Sequence, residues 1–197
     1  TGSRGFSFRQ EARLDMRFDP TQEFTADQVV NEYQEAALAD IIYRMGEEPR
    51  SRRVARSIVR SRPIGTTTEL ADVVASAVGR SGRSRIHPAT KTFQAIRIYV
   101  NRELENLSRG LEQAIDVLAI GGRVAVISYH SLEDRLVKGF FRRESSDCVC
   151  PPETPVCVCD QTARVKRVTR GIVRPAPAEV QSNLRSRSAK MRVAERI

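Results

Sequence analysis

The stretch Gly121-Gly122-Arg123-Val124-Ala125-Val126-Ile127-Ser128-Tyr129-His130-Ser131-Leu132-Glu133-Asp134-Arg135 decides the fold class. A short apolar run after a glycine pair, closed by polar residues, reads as a buried strand over 123–129. The polar tail then opens a helix over 132–143, with Ser131 as its cap and Glu133 and Asp134 in the first turn, where the helix dipole favours acids. Upstream, with Pro88 at the first helical position, Phe93, Ile96, Val100, Leu104, Leu107, Leu111, Ile115 and Leu118 hold helical spacing, as one long helix or two in series. Helix, glycine turn, buried strand, helix is an α/β unit. Two more strands are expected at 164–169 and 188–194, around a proline-rich segment. A parallel buried strand needs neighbours on both sides and helices on both faces, so the beginning of the sheet is expected to lie outside these residues.

Towards the N-terminus the pattern changes to helices alone. The first twenty-odd residues read as a loop punctuated by Gly2, Gly5 and Pro20. Val30, Tyr33, Ala37 and Ile41 recur at helical spacing and predict one helix from Thr25 to about Met45, capped by Thr25 or Asp27 and ended by Gly46. A second helix over 50–62 places Arg52, Arg56 and Arg60 at i, i+4 and i+8, a basic stripe opposite Val54 and Ile58. After Pro63 and Gly65, Thr66 and Glu69 have capping-box spacing and open a third helix. Residues 79–87 read as a basic flexible loop.

Of the 197 residues, 40% are hydrophobic and 29% charged, enough for one or two small domains with a core, which excludes disorder throughout. No apolar run approaches bilayer-spanning length and the first residues lack signal-peptide character, so a soluble, cytoplasmic protein with no membrane partner is expected. The net charge is +9, and apart from Lys91, Lys138, Lys166 and Lys190 the positive charge is arginine. Arginine's planar fork of donors suits phosphate, which makes RNA a natural partner; a solvated basic surface is the alternative. Neither Gly-x-Gly-x-x-Gly nor Gly-x-x-x-x-Gly-Lys-Ser/Thr occurs, so no dinucleotide or phosphate cradle of those kinds is encoded.

Ligands of open α/β sheets bind beyond the carboxyl ends of strands, which makes Ser128, His130 and Ser131 the candidate catalytic cluster. A helix cap at Ser131 is the competing explanation. A second cluster, His87 and Thr90 with Lys91, Gln94 and Arg97, falls at a helix start and along one helix side opposite Phe93 and Ile96; an ordinary solvated face competes with it. Asp15, Arg17 and Asp19 either form a polar loop over a site or pair as surface charges. Cys148-Val-Cys150 and Cys157-Val-Cys159 flank a proline loop within 147–160. Four thiolates can hold a tetrahedral zinc, although one intervening residue per pair is tighter than the usual spacing, and a reduced, redox-sensitive loop is the alternative.

Taken in order, Arg4-Gly5-Phe6-Ser7-Phe8, Leu14-Asp15-Met16-Arg17-Phe18-Asp19, His87-Pro88-Ala89-Thr90-Lys91-Thr92-Phe93-Gln94-Ala95-Ile96-Arg97, the Gly121–Arg135 stretch and Arg187-Ser188-Ala189-Lys190-Met191-Arg192 resemble the small-subunit ribosomal RNA methyltransferase H family from end to end. The resemblance implies an S-adenosylmethionine-dependent enzyme that methylates the exocyclic N4 of a cytidine in the decoding region of 16S ribosomal RNA. It implies the C-terminal part of a class I, Rossmann-like methyltransferase sheet carrying an inserted all-helical substrate-recognition domain. On that template 1–23 is an active-site loop segment, 24–98 the helical insert, and 99–197 the C-terminal half of the methyltransferase domain. The cofactor-contacting positions of the family precede these residues, so none is carried over, and this chain alone is expected to be inactive. Tyr129 stands where the family often has Phe. By the same analogy Ser128, His130 and Ser131 orient the base, Asp15, Arg17, Asp19, His87 and Thr90 belong to the substrate pocket, and Arg52, Arg56, Arg60, Arg83, Arg85, Lys91 and Arg97 bind RNA of the small ribosomal subunit. The rival from another class is a stand-alone arginine-rich RNA-binding module with a zinc loop.

Overall fold

A computed structural model describes residues 4–79, 87–151 and 156–197, and Arg83 and Arg85, with most of the basic loop they sit in, lie outside these. The chain divides into two compact units, Thr1–Glu103 and Leu104–Ile197.

The first unit is a helical bundle of α1 (Ala26–Glu32), α2 (Glu35–Gly46), α3 (Ser51–Arg60), α4 (Thr67–Val78) and α5 (Thr90–Val100). The single helix expected from Thr25 to Met45 is two helices. The break has a tertiary cause: the Arg62 guanidinium donates to the carbonyls of Val30 (2.7 Å) and Tyr33 (2.5 Å), satisfying carbonyls where the helix ends. Tyr33 meanwhile turns into an aromatic cluster with Phe24 and Tyr99, its hydroxyl 3.1 Å from that of Tyr99. The capping box at Thr66 and Glu69 forms as expected, with the Glu69 N–H donating to Thr66 Oγ1. Pro88 does not start α5 but lies in the turn before it. Leu38, Ile42, Val54, Ile58, Leu70 and Ile96 form the centre of one continuous core. Gly46 and Gly5 sit where the backbones approach closely. At Gly46 a Cβ would sit 2.5 Å from the Lys91 carbonyl oxygen, so its absence lets α2 and α5 touch. Gly5, at φ +73°, would place a Cβ 2.4 Å from the Arg13 carbonyl oxygen.

The N-terminal loop belongs to this bundle. Leu14 and Met16 are buried in its core, and Thr67 Oγ1 donates to the Gln10 carbonyl while accepting from the Ala12 N–H. The long periodic segment after Pro88 resolves into α5 and α6 (Glu103–Val117), interrupted at Asn101 and Arg102, the latter at φ +48°. The buried Asn101 side chain donates to the carbonyls of Met16 (2.7 Å) and Arg97 (2.8 Å) and accepts from the Phe18 N–H (2.6 Å). One amide thus fixes both the end of α5 and the loop.

The second unit is mixed α/β: α6, β1 (Arg123–Ser128), α7 (Ser131–Glu144), β2 (Val165–Arg167), α8 (Pro177–Ser182), a 3₁₀ turn (Leu184–Ser188) and β3 (Lys190–Arg196). Strand order is β1-β3-β2, and β3 runs antiparallel to both neighbours, Val124 facing Ala194 and Lys166 facing Glu195. The neighbour of β1 is therefore antiparallel, not parallel as expected. Nor is β1 fully buried: Val124 and Val126 pack towards Leu111, Ile115, Val137 and Phe140, whereas Arg123, Ala125 and Ile127 are exposed. Successive strand residues point to opposite faces, and among the described residues helices cover one face only.

Candidate functional site

At the carboxyl end of β1, Ser128 is buried and opposite Lys190, and Tyr129 is exposed. The cap of α7 is His130, not Ser131, which is the first helical residue. His130 Nδ1 accepts from the Glu133 N–H (3.3 Å), and Glu133 Oε2 accepts in return from the N–H groups of Tyr129 (2.8 Å) and His130 (3.3 Å). With Nδ1 accepting, a neutral imidazole carries its proton on Nε2, which lies 3.4 Å from Glu133 Oε1. The ring is thereby held as a donor beside a carboxylate. One turn on, Asp134 binds Arg192 of β3 through both carboxylate oxygens (2.7 and 3.2 Å), with Lys190 at 4.0 Å. Arg192, reinforced by Lys190, holds the Asp134 carboxyl below the usual carboxylate range although burial opposes this. Sequence reasoning placed Asp134 only as a helix-dipole residue. Its partner is 58 positions away, and the signal available was that both fall in motif blocks.

In the helical unit Asp15 and Arg17 come together as a fork, Nε to Oδ1 at 2.7 Å and Nη2 to Oδ2 at 3.0 Å. Arg17 also donates to the carbonyls of Pro20 (3.1 Å) and Gln22 (2.5 Å), so it braces the loop as well as the carboxylate. The pairing holds Asp15 ionised, its pKa lowered by Arg17. Asp19 accepts instead from the N–H and hydroxyl of Thr21 (2.8 and 2.7 Å). An open cavity of about 440 Å³ is lined by Leu14, Asp15, Arg17, Thr25 and Asp27. His87 is outside that lining. Its ring stacks on Phe8 at 4.5 Å, its Nδ1 accepts from the Ala89 N–H, and its carbonyl accepts from the N–H of Thr90.

The arginine stripe of α3 is exposed: Arg52, Arg56 and Arg60 all face solvent, with Arg56 3.3 Å from Glu35. Beside it is a wider basic surface that the stripe did not reveal. A cavity of about 630 Å³ between the end of α2 and the start of α3 is lined by Asp40, Tyr43, Arg44, Arg50, Arg52 and Arg53. Tyr43 is 61% exposed. The turn at 47–50 folds the two helix ends together, which periodicity within a single helix cannot show. On α5, Lys91 donates to the Glu47 carbonyl (2.8 Å) and Arg97 forks onto Glu103 (2.7 and 2.9 Å). Both are engaged in fixing the bundle.

Between α7 and β2 the four cysteines converge, their Sγ atoms all within 4.8 Å of one another. Cys159 is pulled down to about 6 by the backbone N–H groups of Val149 and Gln161 and by the Cys157 thiol. For Cys157 the Cys159 backbone N–H acts downwards, but the thiols of Cys148, Cys159 and Cys150 outweigh it and push the group up to about 12. Among the described residues no helix is long and apolar enough to cross a membrane.

Comparison with known proteins covers the whole chain. The sequence profile of the MraW methylase family matches residues 1–197. A ribosomal RNA small subunit methyltransferase H from Dehalococcoides mccartyi is 56% identical over 194 residues, 98% of this chain and 55% of that protein. Proteins of the same name from Thermomicrobium roseum and Carboxydothermus hydrogenoformans are 54% and 48% identical, covering 99% and 98% of this chain and 60% and 63% of theirs. The chain therefore spans somewhat more than half the length of these relatives.

Proposed function

The chain belongs to the MraW methylase family, and from that premise we propose that it is the recognition and C-terminal sheet portion of an S-adenosylmethionine-dependent enzyme that methylates the N4 of a cytidine in 16S ribosomal RNA in the cytoplasm. The observation that carries this is the match of the family over residues 1–197 together with 56% identity to a small-subunit ribosomal RNA methyltransferase H. When bound, S-adenosylmethionine supplies an electrophilic methyl group. None of β1, β2 and β3 runs into a glycine-rich turn that opens a helix, so the described residues do not fit the role of cradling that cofactor, and none is assigned to it. These 197 residues alone are accordingly assigned no turnover.

What the chain's own residues do follows from the chemistry of the acceptor. A cytosine amine is a weak nucleophile because its lone pair is delocalised into the ring, so it must be held in one orientation and relieved of a proton. At the β1–α7 junction Ser128, His130 and Ser131 orient the base, with His130 acting through the capped α7 N-terminus that it fixes with Glu133. Within the helical unit Asp15, kept ionised by Arg17, lines a cavity of its own and is an acceptor of the kind that pairs with an amine on an RNA base. Asp19, His87 and Thr90 lie outside the lining of that cavity and are assigned to holding the neighbouring loops, Asp19 through Thr21 and His87 through Phe8, Ala89 and Thr90. RNA phosphates meet Arg52, Arg53, Arg56 and Arg60, and the exposed Tyr43 ring offers a stacking platform among arginines.

The test supplies the gene product that contains this chain with labelled S-adenosylmethionine and small-subunit ribosomal RNA, then analyses nucleosides by mass spectrometry. Label on cytidine N4 is the expected result, reduced more than tenfold by His130→Ala. Label confined to another position, or wild-type transfer by the variant, would contradict the assignment.

A further inference from the structure

We propose that Cys148, Cys150, Cys157 and Cys159 bind one zinc ion as a closed tetrathiolate site that clamps the connection between α7 and β2. All four Sγ atoms lie within 4.8 Å of one another, the spread that a tetrahedral site allows. Cys157 and Cys159 lie 3.4 Å apart, Cys150 and Cys157 3.9 Å, and Cys159 and Cys148 3.9 Å. A zinc ion with Zn–S bonds of about 2.3 Å sets sulfurs roughly 3.8 Å apart. Two of these three edges run across the loop rather than within a Cys-x-Cys pair, so the tight spacing inside each pair does not have to supply the whole coordination sphere.

Two further observations point the same way. Backbone N–H groups already aim at sulfur, from Val149 to Cys159 (3.4 Å) and from Cys150 to Cys148 (3.4 Å). Such donors offset the surplus negative charge of four thiolates around a divalent ion. The base of the loop is also fixed independently of any metal. Arg164 clasps the buried Glu144 (2.7 Å), the Arg164 N–H donates to the Glu144 carbonyl (2.8 Å), and Asp147 Oδ1 accepts from the Ala163 N–H (3.0 Å). Both arms that carry the cysteines are thus brought together before binding, which lowers the entropy cost of assembling the site.

Four soft sulfur ligands select zinc over hard cations, and four protein ligands leave no open position. The site is structural. On binding, the thiols lose their protons to solvent as the four Zn–S bonds form, with no change of oxidation state. The inference is independent of the methyl-transfer proposal, since it concerns a loop that proposal does not use.

Elemental analysis of the chain purified under reducing conditions tests it, followed by cobalt substitution. One zinc per chain is expected, and the cobalt form should show the intense thiolate charge-transfer and tetrahedral ligand-field bands of a four-sulfur site. A Cys148→Ser, Cys157→Ser double variant should lose the metal while keeping wild-type circular dichroism. Chelation of zinc from the wild type should raise amide exchange between residues 145 and 163 only. Zinc at background level, iron in its place, disulfides among the four cysteines in anaerobically prepared protein, or full metal content in the double variant would overturn the proposal.

Discussion

The two units of this chain solve the burial problem differently. In the helical unit apolar residues from Leu14 to Val100 close into a single core, and the N-terminal loop is sewn onto it by Asn101, Gly5 and Thr67. In the sheet unit the core is a small cluster of Leu111, Ile115, Val137, Phe140, Phe141, Val165 and Ala194. Large apolar side chains there stay in solvent, Val117 and Ile120 at 84% exposure and Ile127 at 54%. A helix can bury one stripe against its neighbours, whereas a strand needs cover on both faces to bury all its side chains. The helical unit therefore buries its apolar side chains within itself, and on α3 it carries Arg52, Arg56 and Arg60 outwards. The sheet unit supplements its small apolar cluster with buried charge, Asp134 with Arg192 beside the β1–α7 junction and Glu144 with Arg164 at the end of α7.

That contrast can be broken by mutation. The largest effect is expected at the centre of the helical core, where Ile58→Ala should cost about 2–5 kcal/mol by chemical denaturation of that unit. A cost as small as that of an exposed side chain would remove the distinction. Next, Asp134→Ala should cost the sheet unit on the order of 3 kcal/mol, because it strands Arg192 without its partner in a largely buried place. The same pair sets an acid dependence. Arg192 lowers the Asp134 pKa in the fold, so its contribution is complete above the unfolded value of about 4 and fades as pH falls through the lower folded value. Amide exchange in α7 and β3 of the wild type should therefore accelerate on acidification below about pH 4, and the Asp134→Ala protein should lack this component. A smaller effect, about 1 kcal/mol, is expected for His130→Ala through loss of the α7 cap, with His130→Asn restoring stability because Asn caps well. Smallest is Ile127→Ser, expected to stay within roughly 0.5 kcal/mol of wild type.

How far the sequence anticipates all this depends on the range of the interaction. Local devices were legible: the Thr66–Glu69 capping box, the end of α2 at Gly46, and the strand after Gly121-Gly122 are written in adjacent residues. The break between α1 and α2 was not, because it depends on donors from Arg62, and the sequence left open whether α5 and α6 were one helix or two, a choice decided where Asn101 reaches Met16 across 85 positions. The strand over 123–128 was found but its exposure was misjudged, since a run of small and branched apolar residues looks alike whether one face or both are covered. At the β1–α7 junction the helix cap was misassigned. Ser131 fits the usual cap preference, yet the imidazole of His130 takes the cap because Glu133 closes the box behind it. The basic surface was half legible: the stripe on α3 follows from helical periodicity, while the addition of Tyr43, Arg44 and Arg50 needs the turn between two helices.

The central proposal is that the helical unit binds ribosomal RNA. It is tested most directly by the affinity of the chain for small-subunit ribosomal RNA as a function of salt, for the wild type and for Arg52→Ala, Arg53→Ala. Each phosphate contact to single-stranded RNA contributes about 0.7 to the slope of log affinity against log salt concentration. The double variant should therefore bind more weakly, with a slope shallower by about 1.4 if both arginines meet phosphates. Equal affinity and equal slope for the two proteins would contradict the account.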